Sequence, residues 1–168
     1  AEIDLTGNSV AIASTILLPS GKLVVNATND IAIGGSGRID LSGQPSMIQK
    51  ATVYGFGGTA IFNSSQGGFT QAAGSVIDVS ATNASAGSIS ISAGSGAVSF
   101  GGRLAGSATG NNTSGDFSVT AASMSSTDFA ALNALLTQGG LFDARSFDIK
   151  SGDLVIGDGV KAHSVTVS

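Results

Sequence analysis

The stretch Gly74-Ser-Val-Ile-Asp-Val-Ser-Ala81, followed closely by Gly87-Ser-Ile-Ser-Ile-Ser-Ala93, contains the pattern that decides the fold. In each stretch, a glycine and a small residue precede two aliphatic residues that one polar residue separates. Successive side chains of a strand point to opposite faces, so this alternation predicts a short strand with one buried face. The pattern recurs along the whole chain, at Ile3/Leu5, Val10/Ile12, Leu23/Val25, Ile31/Ile33, Ile39/Leu41, Ile77/Val79, Ile89/Ile91, Val98/Phe100, Phe117/Val119, Phe147/Ile149, Leu154/Ile156 and Val165/Val167.

The spacing of these strands predicts a repetitive fold. Strands that start at positions 3, 23, 39, 61, 77, 98, 117, 147 and 165 are 16 to 22 residues apart, except for one step of 30 residues. A repeat of about twenty residues with two or three short strands is typical of a parallel β-helix. We therefore predict an all-β chain, a single right-handed parallel β-helix of about eight coils over residues 1–168. Its inward side chains should include Ile39, Ile77, Ile89, Val98 and Phe117.

A β-sandwich is the alternative all-β architecture, because it also has short, regularly spaced strands. Sandwich cores depend on large aromatic side chains, and this chain has no Trp, one Tyr and eight Phe. The small inward residues favour the narrow solenoid.

The long step after Phe117 contains a helical insertion at residues 124–140. There the apolar spacing changes from two residues to that of a helix, which we place at about 126–138. Ser125 and Asp128 form a shortened capping box, and Gly139 is expected at C′, the position just past the helix end that favours a left-handed glycine. We expect the helix to cover the apolar wall of the solenoid; a docking element for a neighbouring module is the alternative. The expected buried face contains Phe129, Leu132, Leu135 and Leu136.

A second irregularity begins at Gln44-Pro45, since proline cannot donate a hydrogen bond to a strand ladder. The following segment, residues 51–62, contains several aromatic side chains. Tyr54, Phe56 and Phe62 are the candidate surface on which a sugar ring could stack.

Composition excludes several functional classes. Net charge is −4, and the seven Lys and Arg residues are scattered, so no basic stripe indicates nucleic-acid binding. No long apolar run predicts membrane insertion. Cysteine is absent. In an intracellular protein this would be chance, whereas it is expected of a large bacterial exoprotein, because a chain that crosses the outer membrane unfolded must avoid periplasmic disulfides.

The sequence offers little for catalysis, cofactor binding or metal binding. Glu and His occur once each, and the aspartates at 4, 40, 78 and 148 each lie between two inward apolar residues. Such middle positions should point to water. An Asp40–Asp78 catalytic or Ca²⁺ pair is the alternative. His163 with Asp158 and Ser164 could form a triad, but no Gly-x-Ser-x-Gly elbow occurs, so we interpret His163 as a corner residue.

The rhythm Gly-small-aliphatic-x-aliphatic-Ser-Ala resembles the exoproteins of bacterial two-partner secretion, which include filamentous haemagglutinin-like adhesins, large haemolysins and contact-dependent inhibition toxins. A more specific likeness lies in 128–136, 145–149 and 160–165, which are similar to a segment of some large haemagglutinin-like proteins. The family's amino-terminal secretion domain has an Asn-Pro-Asn motif. Here Pro19 and Pro45 lie in no such motif, so the chain does not resemble that domain.

The resemblance implies a secreted, right-handed β-helical shaft with no catalytic residues. It implies that the parent protein uses an outer-membrane two-partner secretion transporter, and that other parts of the parent bind a receptor or glycan on a host or neighbouring cell. We expect a monomeric segment of a longer repetitive protein that is secreted or displayed on the bacterial surface. The alternative is a carbohydrate-binding or polysaccharide-active β-helix, similar to a pectate lyase.

Overall fold

The computed structural model describes residues 1–157 and 159–168, and over these residues the protein is mostly β with one helix. This confirms the all-β class. The right-handed β-helix of eight coils is a finer statement and stays a prediction. The elements are β1 Glu2–Gly7, β2 Val10–Ile12, β3 Thr15–Leu17, β4 Lys22–Ala27, β5 Ile31–Ile33, β6 Arg38–Asp40, β7 Pro45–Ile48, β8 Ala51–Tyr54, β9 Thr59–Ser64, β10 Phe69–Gln71, β11 Val76–Asp78, β12 Ser88–Phe100, β13 Arg103–Ala105, β14 Asp116–Ser123, α1 Ser126–Gln138, β15 Ala144–Ser151 and β16 Ser164–Val167.

Ten strands form one large parallel sheet. One branch runs β1-β4-β9-β12 and continues through β14, β15 and β16. The other branch runs β12-β10-β5-β2, so the thirteen-residue strand β12 belongs to both. The branches meet again where β5 contacts β9 and β2 contacts β4, so the sheet nearly closes like a barrel. A second parallel sheet has the order β13-β11-β6-β3.

The first branch stacks seven parallel strands in register, and its side chains form columns along the stack. Every second residue points inward, as the alternation predicts. Residues of the second column include Val25, Phe62, Ile91, Val119 and Phe147, all of which are buried. The first column consists of Ile3, Leu23, Ala60, Ile89, Phe117, Arg145 and Val165.

The predicted register of the repeat is wrong, although the predicted inward residues are buried. Ile39, Ile77, Ile89, Val98 and Phe117 each expose 6% or less of their surface. Ile39 and Ile77, however, lie in the four-stranded sheet, and Val98 lies in the second branch. Because each repeat of about twenty residues contributes strands to more than one sheet, equal spacing along the chain does not identify strands that stack on one another. Leu154–Ile156 forms no strand.

Glycines immediately before four strands of the first branch form a column of their own. The amide of Thr59 donates to the Gly21 carbonyl at 2.9 Å, and that of Ser88 donates to the Gly58 carbonyl at 3.1 Å. A Cβ on Gly58 would overlap the Gly21 backbone, and a Cβ on Gly87 would overlap the Gly58 backbone. The glycine that opens the sequence pattern is therefore required by close backbone approach at this corner. The column consists of Gly21, Gly58, Gly87 and Gly115.

Helix α1 has the predicted bounds, Ser126–Gln138, and the predicted cap. Ser125 Oγ accepts a hydrogen bond from the Asp128 amide at 3.1 Å. The left-handed residue at the other end is Gly140, at φ 74°, and not the predicted Gly139. The amide of Leu141 donates to Leu136 O at 3.0 Å, which makes this end a Schellman motif.

The helix packs against the sheet as a cover. Phe129, Leu132 and Leu136 are buried, and the Phe129 ring lies 4.9 Å from that of Phe147, centroid to centroid. Leu135 is only half-buried, whereas Asn133 is buried. The helix contacts β13 and β12.

Candidate functional site

An antiparallel hairpin of β7 and β8 lies outside the parallel sheets, and all of its strand residues are exposed. Strands β7 and β8 pair with each other, and within the described residues neither pairs with a further strand. Gln49 and Lys50 connect them with φ 46° and 70°. Two positive φ values are those of a type I′ turn, whose twist suits a two-residue hairpin loop. The hairpin starts after Gln44 and ends at Gly55, whose amide donates to Gln44 O at 3.2 Å.

Both faces of this hairpin carry exposed apolar side chains. All eight strand residues are exposed, including Met47 at 74% and Ile48 at 57%. Strand pairing places Met47 and Tyr54 on one face and Ile48 and Val53 on the other. Clusters of exposed apolar side chains mark interaction sites on soluble proteins. We call Met47, Ile48, Val53, Tyr54 and Phe56 the hairpin patch.

The predicted sugar-stacking surface does not form as a set of three aromatic residues. Tyr54 and Phe56 are exposed, at 38% and 67%. Phe62 is fully buried on β9, and its ring lies 5.2 Å from that of Phe69, centroid to centroid. The strand alternation sends Phe62 inward, so it belongs to the core and is withdrawn as a surface candidate.

The expectation that four aspartates face water is wrong for Asp40, which is 9% exposed. Its Oδ1 accepts hydrogen bonds from the Ser42 amide at 3.2 Å and from Ser42 Oγ at 2.6 Å, and its Oδ2 accepts one from Arg38 at 3.0 Å. Burial alone would raise the pKa of Asp40, but the hydrogen bonds from Ser42 and Arg38 outweigh it, so the pKa lies below its ordinary value. Asp4 is exposed, and Asp78 and Asp148 are half-buried.

Asp78 repeats the Asp40 arrangement on the neighbouring strand. The two aspartates are register partners of β6 and β11, and Asp78 Oδ1 accepts from the Ser80 amide at 3.0 Å. The Oδ1 atom of each carboxylate therefore accepts hydrogen bonds from the serine two residues later in the chain. Across residues 1–157 and 159–168, no group of three or more His, Cys, Asp or Glu residues could hold a metal ion. Each aspartate thus holds the backbone of the turn that follows its own strand.

Sequence reasoning missed a buried arginine, Arg145, which is 1% exposed. Its Nε donates to Leu141 O at 2.8 Å, and its Nη atoms donate to Asn133 Oδ1 at 3.2 Å and to Thr137 Oγ1 at 3.3 Å. Burial lowers the pKa of Arg145. No carboxylate of the described chain lies within ion-pair distance of it. The guanidinium instead lies beside the carboxyl end of α1, where the helix dipole favours a cation.

One signal in the sequence could have identified Arg145. It precedes Phe147 by two residues, so the alternation that buries Phe147 places Arg145 on the same inward side. We took the strand to begin at Phe147, whereas β15 begins at Ala144.

His163 lies beside an acid, but not in the triad considered from sequence. Its Nδ1 is 3.3 Å from Asp143 Oδ1, and the imidazole is largely exposed. Asp158 lies outside the described residues, and Ser164 is exposed on β16. This arrangement fits the corner interpretation of His163.

A cleft of about 390 Å³ separates α1 from the segment around Val155 and Val160. Its walls are largely apolar, with Asn133, Thr137 and Gln138 as polar groups. Lys161 is the one charged side chain among the described lining residues. The described lining residues thus offer apolar contact and contain no paired acid and base.

Comparisons with known proteins add no family: no family model, curated protein or solved structure matches this chain. In the described part of the chain, no helix is both long enough and apolar enough to cross a membrane.

Proposed function

We propose that the chain is a rigid, right-handed parallel β-helical shaft segment of a large bacterial exoprotein of the two-partner secretion type. The observation that carries this proposal is the register of seven parallel strands in one branch of the sheet. Parallel stacks that keep their side-chain columns extend in one direction as coils are added. Such a segment increases length and holds a distal module away from the cell.

Ladders of polar side chains on the outer face support a rigid role. Asn63 Nδ2 donates to Asn26 Oδ1 at 2.9 Å, and Asn26 Nδ2 donates to Asp4 Oδ1 at 3.3 Å. Ser118 Oγ donates to Ser90 Oγ at 3.0 Å. These bonds link successive strands across the outer surface, in addition to the backbone ladder, and resist bending between coils.

In this proposal the parent protein is exported by an outer-membrane two-partner secretion transporter and acts outside the cell. The absence of cysteine supports export through the periplasm, because no disulfide can form there before the chain crosses the outer membrane. Receptor or glycan binding belongs to other parts of the parent.

A segment exchange tests the proposal. The chain is inserted between two coils of the shaft of a two-partner secretion exoprotein, and its export and filament length are measured by blotting and negative-stain electron microscopy. We expect export at the parent's level and a longer filament of unchanged width. The control insert is a globular domain of equal length. Blocked export by this chain alone, or a knob on the filament, would contradict the proposal.

The rival function is a polysaccharide-active β-helix of the pectate lyase kind. Such enzymes gather several carboxylates with a basic group on one surface. Asp40 and Asp78 are neighbours, but among the described residues no third acidic or histidine side chain joins them in a group that could hold a metal ion. A lyase function predicts Ca²⁺-dependent cleavage of polygalacturonate by the wild type and its loss in Asp78→Asn. We expect no cleavage by the wild type or by the variant.

A further inference from the structure

The hairpin of β7 and β8 is built like the interior of a sheet, yet it lies on the surface. Strands buried on both faces are apolar on both faces, and here Met47 and Tyr54 occupy one face while Ile48 and Val53 occupy the other. A two-stranded hairpin alone is at best marginally stable in water. Lys50, in the turn, is its one charged residue. The hairpin therefore lacks the third strand that gives a small sheet stability of its own.

The hydrogen bond between Gly55 and Gln44 identifies the backbone groups that face outward. Residues 44 and 55 form a hydrogen-bonded pair, and hydrogen-bonded and non-hydrogen-bonded pairs alternate along an antiparallel ladder. Thr52 and Tyr54 thus belong to non-hydrogen-bonded pairs, with Met47 and Pro45 respectively. Their N–H and C=O groups point away from β7, to the free edge of β8.

The two edges of the hairpin differ in protection. On β7 one of the two outward positions is Pro45, which has no N–H to donate. The edge of β8, Ala51-Thr-Val-Tyr54, contains neither proline nor charge. Natural proteins block exposed edges with such residues, and an unblocked edge is a template for another strand.

We propose that β8 pairs, antiparallel and about a two-fold axis at Val53, with β8 of a second copy of this chain. Antiparallel pairing of a strand with its own copy is self-complementary, as a two-fold interface requires. Thr52 of each copy then exchanges both backbone hydrogen bonds with Tyr54 of the other. The two Val53 side chains face each other in a close, non-hydrogen-bonded pair, where β-branched residues pack well. This replaces the monomer that the sequence led us to expect.

The electrostatics of the hairpin agree with this occupant. Pairing about Val53 sets Lys50 of one copy beside Phe56 of the other, several residues from the second Lys50, so the two cations do not meet. The resulting four-stranded sheet has Met47 and Tyr54 from both copies on one face, and Ile48 and Val53 on the other.

Matched proline variants test the edge assignment by light scattering after size exclusion. Thr52→Pro removes an outward N–H of β8 without removing a hydrogen bond of the hairpin; Met47→Pro does the same on β7. The wild type, of 16.3 kDa per chain, should run at twice this mass, Met47→Pro likewise, and Thr52→Pro as a monomer. Circular dichroism checks that each variant is folded. A monomeric wild type at all concentrations up to the highest soluble one overturns the proposal, as does equal loss of the dimer in both variants.

A cysteine cross-link provides the second measurement, and the chain has no cysteine of its own. Val53→Cys should form a disulfide dimer rapidly on mild oxidation, because the two-fold axis places it opposite its own copy. Ser46→Cys, paired with Val53 inside the hairpin but on the other strand, should remain monomeric. Equal cross-linking of both variants, or binding of a glycan array by a monomer through Tyr54 and Phe56, overturns the proposal.

Discussion

At Arg145, a charge occupies a position that apolar side chains fill on most strands of the same inward column. Its three acceptors are neutral: the Leu141 carbonyl, Asn133 Oδ1 and Thr137 Oγ1. Lysine carries the same charge but cannot present donors in a planar fork. We expect Arg145→Lys to lower the free energy of unfolding by about 2 kcal/mol, because buried acceptors lose their donors. Urea unfolding measures the effect, with the exposed Arg103→Lys as control at no change. Equal midpoints for the two variants would show that the fork is dispensable.

Asp40 makes stability depend on pH in the acid range. Its folded pKa lies below the ordinary value of 3.8 because hydrogen bonds from Ser42 and Arg38 outweigh burial. A lowered folded pKa contributes stability that is complete above the unfolded pKa and is lost as pH falls through the folded pKa. We expect wild type to exceed Asp40→Asn in stability by about 1 kcal/mol at pH 7, a value kept small by the half-exposed Arg38, and by much less at pH 3. The exposed Asp153→Asn serves as control. A gap that stays constant between pH 7 and pH 3 would contradict this account.

At the scale of elements, helix α1 is fixed by its buried face. Leu132 is 1% exposed, whereas its neighbour Ala131 is exposed. Leu132→Asp should reduce the free energy of unfolding by several kcal/mol, since it buries a charge without a partner. Ala131→Asp adds the same charge to the solvent face and should change it by less than about 0.5 kcal/mol. Coincident urea transitions for both variants would mean that α1 does not pack on the sheet.

The glycine column makes a prediction at the corner before β12. A methyl group on Gly87 would overlap the backbone carbonyl of Gly58, which the stack holds in place. We expect Gly87→Ala to lower the free energy of unfolding by about 2–3 kcal/mol, the upper part of the usual range for overpacking. Gly94→Ala, in the same strand, meets the flexible end of Lys150 and, at ordinary contact distance, the Thr120 methyl group, and should be near neutral. Thermal unfolding of the two variants is the comparison, and a neutral Gly87→Ala would show that the corner can open.

Local patterns predicted elements better than they predicted their neighbours. The period of two identified most strands, and capping chemistry identified α1 with its bounds. The register of the strands depends on how many sheets each repeat of about twenty residues contributes strands to, and no local pattern encodes that number. The predicted stack therefore wrongly includes Ile39 and Ile77. The hairpin was not predicted for another reason. Neither of its faces is buried within the chain, so Met47, Ile48 and Val53 do not alternate with polar residues. Of the aromatic candidates, Phe62 does not belong to the surface, because the alternation along β9 places its side chain on the inward face.

For the whole molecule, the proposed solenoid and a closed barrel respond differently to loss of an end. Stability of a solenoid is a sum over repeats and their interfaces, whereas a barrel loses its closure when a strand is removed. We expect a variant that begins at Gly21, and so lacks β1, β2 and β3, to remain folded and to unfold cooperatively. Its urea m-value should fall by about a tenth, in proportion to the surface lost. Circular dichroism without strand signal would instead favour the barrel.

The hydrogen bond that joins Gln44 to Gly55 also has an evolutionary consequence. The hairpin between these residues begins and ends at one point of the parallel sheets, so its length does not affect the stacking of the strands on either side. Such a hairpin can be gained, shortened or exchanged in a single genetic event while every strand of the parallel sheets keeps its neighbours. The same junction gives the experimenter a place to splice an epitope or fluorophore at Gln49-Lys50, in the turn of the hairpin.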